Sequence, residues 1–103
     1  MKVKMNKNAG KELKRMLATD EAKGKMIRVS VTHIHGDHAH YEIDYDTPTE
    51  HDEIVKTDKD VDVLLDTREA EWLDGIWVQF FHVPKPEFVV TNPTIDKGHH
   101  HHH

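Results

Sequence analysis

Four histidines fall within eight residues, His33-Ile34-His35-Gly36-Asp37-His38-Ala39-His40, with the spacing H-x-H-x-x-H-x-H. On an extended strand, residues two apart share a face with side chains roughly 7 Å apart, so His33 and His35 can offer two imidazoles to one ion. Asp37, His38 and His40 extend the donor set across a turn that Gly36 allows to be tight. Zinc accepts such nitrogen and oxygen ligands, and so do nickel, copper and iron. Three readings of the segment stay open on sequence. It is a divalent-metal site built from His33, His35, Asp37, His38 and His40, or a solvated hairpin tip. In the third reading His33 and His35 continue the inward face begun by Ile27, Val29 and Val31.

The elements that must carry this segment are legible from periodicity. Ile27, Val29 and Val31 alternate with Arg28, Ser30 and Thr32, and Tyr41, Ile43 and Tyr45 alternate with Glu42, Asp44 and Asp46. These are two half-buried strands, and the histidine segment is the tip of their antiparallel hairpin. Upstream, Lys2 to Met5 alternates as a short strand. Asn6 is a suitable N-cap for a helix over roughly residues 7–19, whose stripe is Ala9, Leu13, Met16 and Leu17. That stripe is expected to pack against strands carrying Val29, Val31 and Ile43. Gly10 within the helix costs about 1 kcal/mol relative to Ala. Further short strands are expected around Ile54-Val55, Val61 to Leu65, Ile76 to Phe81 and Phe88 to Val90. A short helix follows Asp66 or Thr67 and ends near Gly75, and Pro84 and Pro86 confine the last connection to a loop. The pattern predicts an α+β, strand-dominated fold in one small domain, with an N-terminal helix on short mixed or antiparallel strands.

Composition narrows the chemistry. The 103 residues carry 14 Lys+Arg against 19 Asp+Glu, for a net charge of −5, with no basic stripe. Nucleic acid and anionic membranes are therefore not expected partners. No apolar run approaches the ~18 residues of a membrane span and no signal peptide opens the chain, so the expected compartment is the cytoplasm. Zero cysteines removes disulfides, thiolate nucleophiles and zinc ribbons together. His99 to His103 reads as a purification tag, with Gly98 as a vector residue, leaving residues 1–97 as the domain. His51, among Glu50, Asp52 and Glu53, reads as exposed. His82 is a fifth donor only if its loop folds back. Of Trp72 and Trp77, one is expected in the core and one over an edge. No Ser-His-Asp arrangement and no Gly-rich phosphate loop are present, so no nucleotide or organic cofactor is indicated.

Two resemblances bear on function. Thr32-His33-Ile34-His35-Gly36-Asp37-His38 resembles the T-H-x-H-x-D-H signature of the metallo-β-lactamase superfamily, which implies a metal-dependent hydrolase with two ions activating a hydroxide. That fold is far longer than this chain and needs further ligands, for which only His51 and His82 remain. Non-catalytic readings are therefore preferred.

The second resemblance spans nearly the whole chain. The helix Asn6 to Ala18, the strand pair Ile27–Val31 and Tyr41–Tyr45, and the turn Pro48-Thr49-Glu50-His51-Asp52-Glu53 resemble the HesB-like family of A-type iron–sulfur carriers. So do Val61 to Asp66, the corner Trp72-Leu73-Asp74-Gly75 and the close Phe88-Val89-Val90-Thr91-Asn92-Pro93. The resemblance implies a HesB-like domain, a role in iron–sulfur cluster biosynthesis, iron–sulfur assembly proteins as partners and self-association into a homo-oligomer. It also implies three cysteine ligands. The hairpin cysteine aligns at Gly36, and the C-terminal pair falls a few residues past Asn92-Pro93, near Lys97. All three are missing. An iron–sulfur cofactor is thus not expected, and a divalent metal (Zn, Ni or Fe) on the histidine segment is the alternative. A cysteine-free metal-binding or protein-interaction module that kept only the fold is the other reading.

Overall fold

The computed structural model describes residues 1–95; Lys97 and the proposed vector and tag positions lie outside the described residues. In chain order the elements are β1 (Val3–Met5), α1 (Lys7–Leu17), β2 (Met26–His35), β3 (His38–Asp46), β4 (Asp52–Lys56) and β5 (Asp62–Asp66). A 3-10 turn, Thr67–Glu69, runs into α2 (Ala70–Leu73), followed by β6 (Ile76–Phe81) and β7 (Glu87–Thr91). Two mixed sheets result. One has the order β1-β6-β7 and the other β3-β2-β5-β4. Within them β1 runs parallel to β6 and β2 parallel to β5, while the remaining pairs are antiparallel. The fold is small, α+β and strand-dominated, as the periodicity predicts.

Asn6 joins the helix to the first sheet. Its Oδ1 accepts the Ala9 amide at 2.8 Å, capping α1, and also accepts the Phe80 amide of β6 at 3.1 Å. α1 therefore lies chiefly against β6, with smaller contacts to β1 and β2, rather than mainly on the Val29–Val31–Ile43 strands. Gly10 also has a reason that propensity does not show. A Cβ there would sit 2.8 Å from the Lys59 Cβ, so the close pass of the Asp58–Asp60 turn requires glycine. Leu13, Ile27, Val29, Val63, Leu65, Leu73, Ile76 and Val78 are fully buried in one shared core.

The segments that resemble HesB-like motifs have structural roles. Asp52, ending the Pro48 turn, accepts the Thr49 amide at 2.7 Å and forms a two-pronged ion pair with Arg28 of β2, at 2.8 and 2.6 Å. The Arg28 Nε donates to Asp46 at 2.7 Å. Arg28 beside it holds the Asp52 carboxyl well below the usual range, with the Thr49 donors assisting. Among the described residues, Asn92 is the buried polar side chain. Its Nδ2 donates to the carbonyls of Trp72 and Asp74, both at 2.9 Å, and its Oδ1 accepts the Thr94 amide at 3.1 Å. Asn92 thus ties the α2–β6 corner to the end of β7. Gly75 forms that corner at φ 90°, a conformation that L side chains rarely adopt.

Candidate functional site

The hairpin reverses at Gly36-Asp37. Gly36 has φ 57° and Asp37 does not share the positive sign, the φ pattern of a type II′ turn with glycine first. The β2–β3 ladder pairs Ile27 with Tyr45, Val29 with Ile43 and Val31 with Tyr41. It then shifts, so that His33 pairs with His40, Ile34 with Ala39 and His35 with His38.

That shift decides which way the histidines face. An extra residue on β2 opposes one on β3, which is a β-bulge at Thr32. Before it, Ile27, Val29 and Val31 face the core. After it, Ile34 takes the side of Ala39 and Tyr41, and His33 and His35 move to the outer face. The expectation that His33 and His35 continue the inward face is corrected by this bulge. β3 has no such break, so Tyr41, Ile43 and Tyr45 are half-buried while His38, His40, Glu42 and Asp44 alternate outward.

On that outer face three imidazoles come together. Ring centroids are 4.1 Å apart for His33–His35, 6.1 Å for His33–His40 and 6.0 Å for His35–His40. Three imidazoles on one tetrahedral ion, with metal–nitrogen distances near ~2.0–2.1 Å, would place ring centres about 5 Å apart. The observed separations fall on either side of that value. Among the described residues no three His, Asp or Glu side chains already converge on one point, so binding requires these exposed rings to turn. Such side-chain rotations are fast on a surface.

The other predicted donors are placed differently. His38 Nε2 lies 3.7 Å from Asp37 Oδ1. Both residues line a small cavity of about 90 Å³ with Tyr41, Val90, Asn92 and Ile95, between the hairpin tip and the end of β7. Gly36, where the resemblance places a cysteine, is at the tip itself, and a side chain there would meet nothing within 4 Å. His51 sits beside Glu50 at 3.6 Å. His82 packs edge-on against Phe80 at 5.2 Å, at the opposite end of the β6–β7 ladder from Thr91, and does not become a fifth donor. Trp77 is 40% exposed and Trp72 half-buried, so neither joins the central cluster.

Sequence reasoning missed the bulge that turns His33 and His35 outward. The signal was available: Ile34 follows Val31 by three positions, an odd step that breaks the alternation, whereas Ala39-Tyr41-Ile43-Tyr45 keeps it.

No protein-family model matches the sequence, and no curated protein matches it either. Solved structures do. SufA of Escherichia coli, described as involved in the biosynthesis of iron–sulfur clusters, superposes with a TM-score of 0.71 at 19% identity, over 90% of this chain and 87% of SufA. The chain shares the fold of SufA. IscA, solved with a [2Fe-2S] cluster, matches with a TM-score of 0.70 at 19% identity, over 88% of this chain and 85% of IscA. At this identity the likeness concerns the fold. The donor set differs from a thiolate-held cluster, because this chain has no cysteine at all. Imidazole replaces thiolate in Rieske centres, but two cysteines remain there. A cluster held by protein ligands therefore does not fit these residues, whereas a single divalent cation suits three neutral imidazoles.

Proposed function

We propose that the protein is a non-catalytic member of the iron–sulfur biosynthesis machinery that holds a divalent metal ion, not a cluster, on its hairpin. The carrying observation is the clustering of His33, His35 and His40 on the outer face of a HesB-like hairpin. The likeness to SufA and IscA supports the setting in iron–sulfur assembly, with assembly proteins as partners in the cytoplasm. Iron(II), zinc and nickel suit nitrogen ligands of this kind. The hydrolase reading is weakened by the placement of its own motif. Among the described residues no three His, Asp or Glu side chains converge on one point, as a two-ion centre would need. A protein-interaction role has an observation of its own. Trp77 and Phe81 stand 40% and 39% exposed on the outward side of β6, where an apolar partner surface can cover them.

The test separates ion from cluster. Tag-free protein incubated anaerobically with iron, sulfide and thiol should emerge colourless from gel filtration. A stable visible charge-transfer absorption that survives the column would show a cluster and overturn the proposal.

A further inference from the structure

We infer that the outer face of the β1-β6-β7 sheet docks an acidic, extended segment of a partner protein, which seats an apolar side chain beside Trp77 and its carboxylates at Lys2 and Lys4. The inference rests on the interaction reading of Trp77 and Phe81, names the partner's chemistry, and is independent of the imidazoles. Alternation supplies the face. On β6, Ile76, Val78 and Phe80 are buried while Trp77 and Phe81 are exposed. On β1, Val3 and Met5 are buried, and Lys4, which pairs with Trp77, is exposed. Trp77 and Phe81 stand four residues apart, roughly 13 Å along the strand, so a stretch of chain about that long covers both.

At the Trp77 end the face is hollowed. A cavity of about 460 Å³ is lined by Ile76, Trp77, Pro93 and Thr94 and by Lys2 and Lys4. Ordinary ligand pockets span ~300–1,000 Å³, so a large apolar side chain fits. The charged residues that line it are both lysines, and among the described residues neither ammonium has an ion-pair partner. In a chain of net charge −5, two unpaired cations beside an exposed indole are a local exception. They attract carboxylates and reject basic segments. Glu87 pairs with Phe81 at the far end of the face, so the segment's carboxylates belong at the Trp77 end. Strand addition is not the mode. β1 is an edge strand, but its Lys2 and Met5 amides already donate to the Asp74 and Asp58 carboxylates, at 2.8 and 3.0 Å. Those side chains occupy the edge, and the partner lies on the face.

Nuclear magnetic resonance titration of tag-free, isotope-labelled protein tests this. The probe is a terminally blocked hexapeptide alternating glutamate with phenylalanine, run beside its glutamine-for-glutamate and lysine-for-glutamate counterparts. The acidic peptide should shift the Trp77 indole N–H resonance and the β1 and β6 amides. Trp77→Ala should weaken that binding by about tenfold or more, as truncating an aromatic anchor does. Lys2→Gln with Lys4→Gln should weaken it by about fivefold, the scale of two exposed charge pairs. Added salt should erase the difference between the parent and the lysine variant. Equal binding of the three peptides, or unchanged affinity in the lysine variant, would overturn the acidic partner and leave the interaction reading standing. A Trp77 shift that follows protein concentration alone would make the occupant a second copy and overturn the inference as well. No Trp77 response to any peptide or to concentration would overturn both. Far-UV circular dichroism of each variant checks that the fold is intact.

Discussion

Leu13→Ala is expected to lower the unfolding free energy by about 2–5 kcal/mol, the range for truncating a fully buried leucine. Leu13 has no solvent exposure and lies on the face of α1 that meets the core shared by both sheets. Its neighbours cannot close the gap easily. Asn6 pins the start of α1 to β6, and the Tyr45 hydroxyl donates to the Met16 carbonyl at 3.2 Å near its end. The helix is thus held at both ends while the cavity sits between them. Against a total stability of about 5–15 kcal/mol for a typical domain, this is a large fraction. Denaturant unfolding of the variant beside the parent measures it. Unchanged stability would mean that α1 is peripheral to the core.

Asp52→Asn should cost about 3 kcal/mol at neutral pH, the lower end for breaking a buried ion pair by removing one partner. The Asp52 side chain is 1% exposed and that of Arg28 15%, so water replaces little of what is lost. Asp46 remains as a second partner for Arg28, which keeps the cost at the low end. The pH dependence has a definite sign. Arg28 lowers the native Asp52 carboxyl below its unfolded value. The stabilisation is therefore complete above about pH 4, the ordinary aspartate range, and is lost as pH falls through the depressed native value. The gap between parent and Asp52→Asn should be widest near neutrality and narrow in acid. Equal stability at neutral pH would show that the pair contributes nothing net.

Much of the architecture could be read from alternation and from local chemistry. The stripe of Ala9 and Leu13, the Asn6 cap, and the alternating runs Ile27–Val31 and Tyr41–Tyr45 each report a local choice, and each is as expected. The parallel pairings β1–β6 and β2–β5 were not legible. They join strands far apart in sequence, and no turn residue announces them. The cost assigned to Gly10 was a propensity argument. Its actual constraint, the pass of Lys59, belongs to tertiary packing. The same limit governs the site. His33 and His35 were expected to share a face, and their rings do meet, but a one-residue bulge decided which face and which neighbours. A one-residue shift in a strand exchanges every side chain between core and solvent. That exchange turned His33 and His35 onto the face that His40 already occupied. The motif resemblances survive as structure: Asp52 anchors Arg28, and Asn92 holds the α2–β6 corner.

The central claim is that this fold holds a metal ion on hairpin imidazoles. It is tested most directly by titrating tag-free protein with Zn²⁺ or Ni²⁺, since a five-histidine tail binds such ions by itself. One ion per chain is expected, with binding weakening on acidification as protons compete for the donor atoms. Binding should be abolished by His33→Ala with His35→Ala and untouched by His51→Ala. No binding, or binding indifferent to the His33/His35 pair, would contradict it.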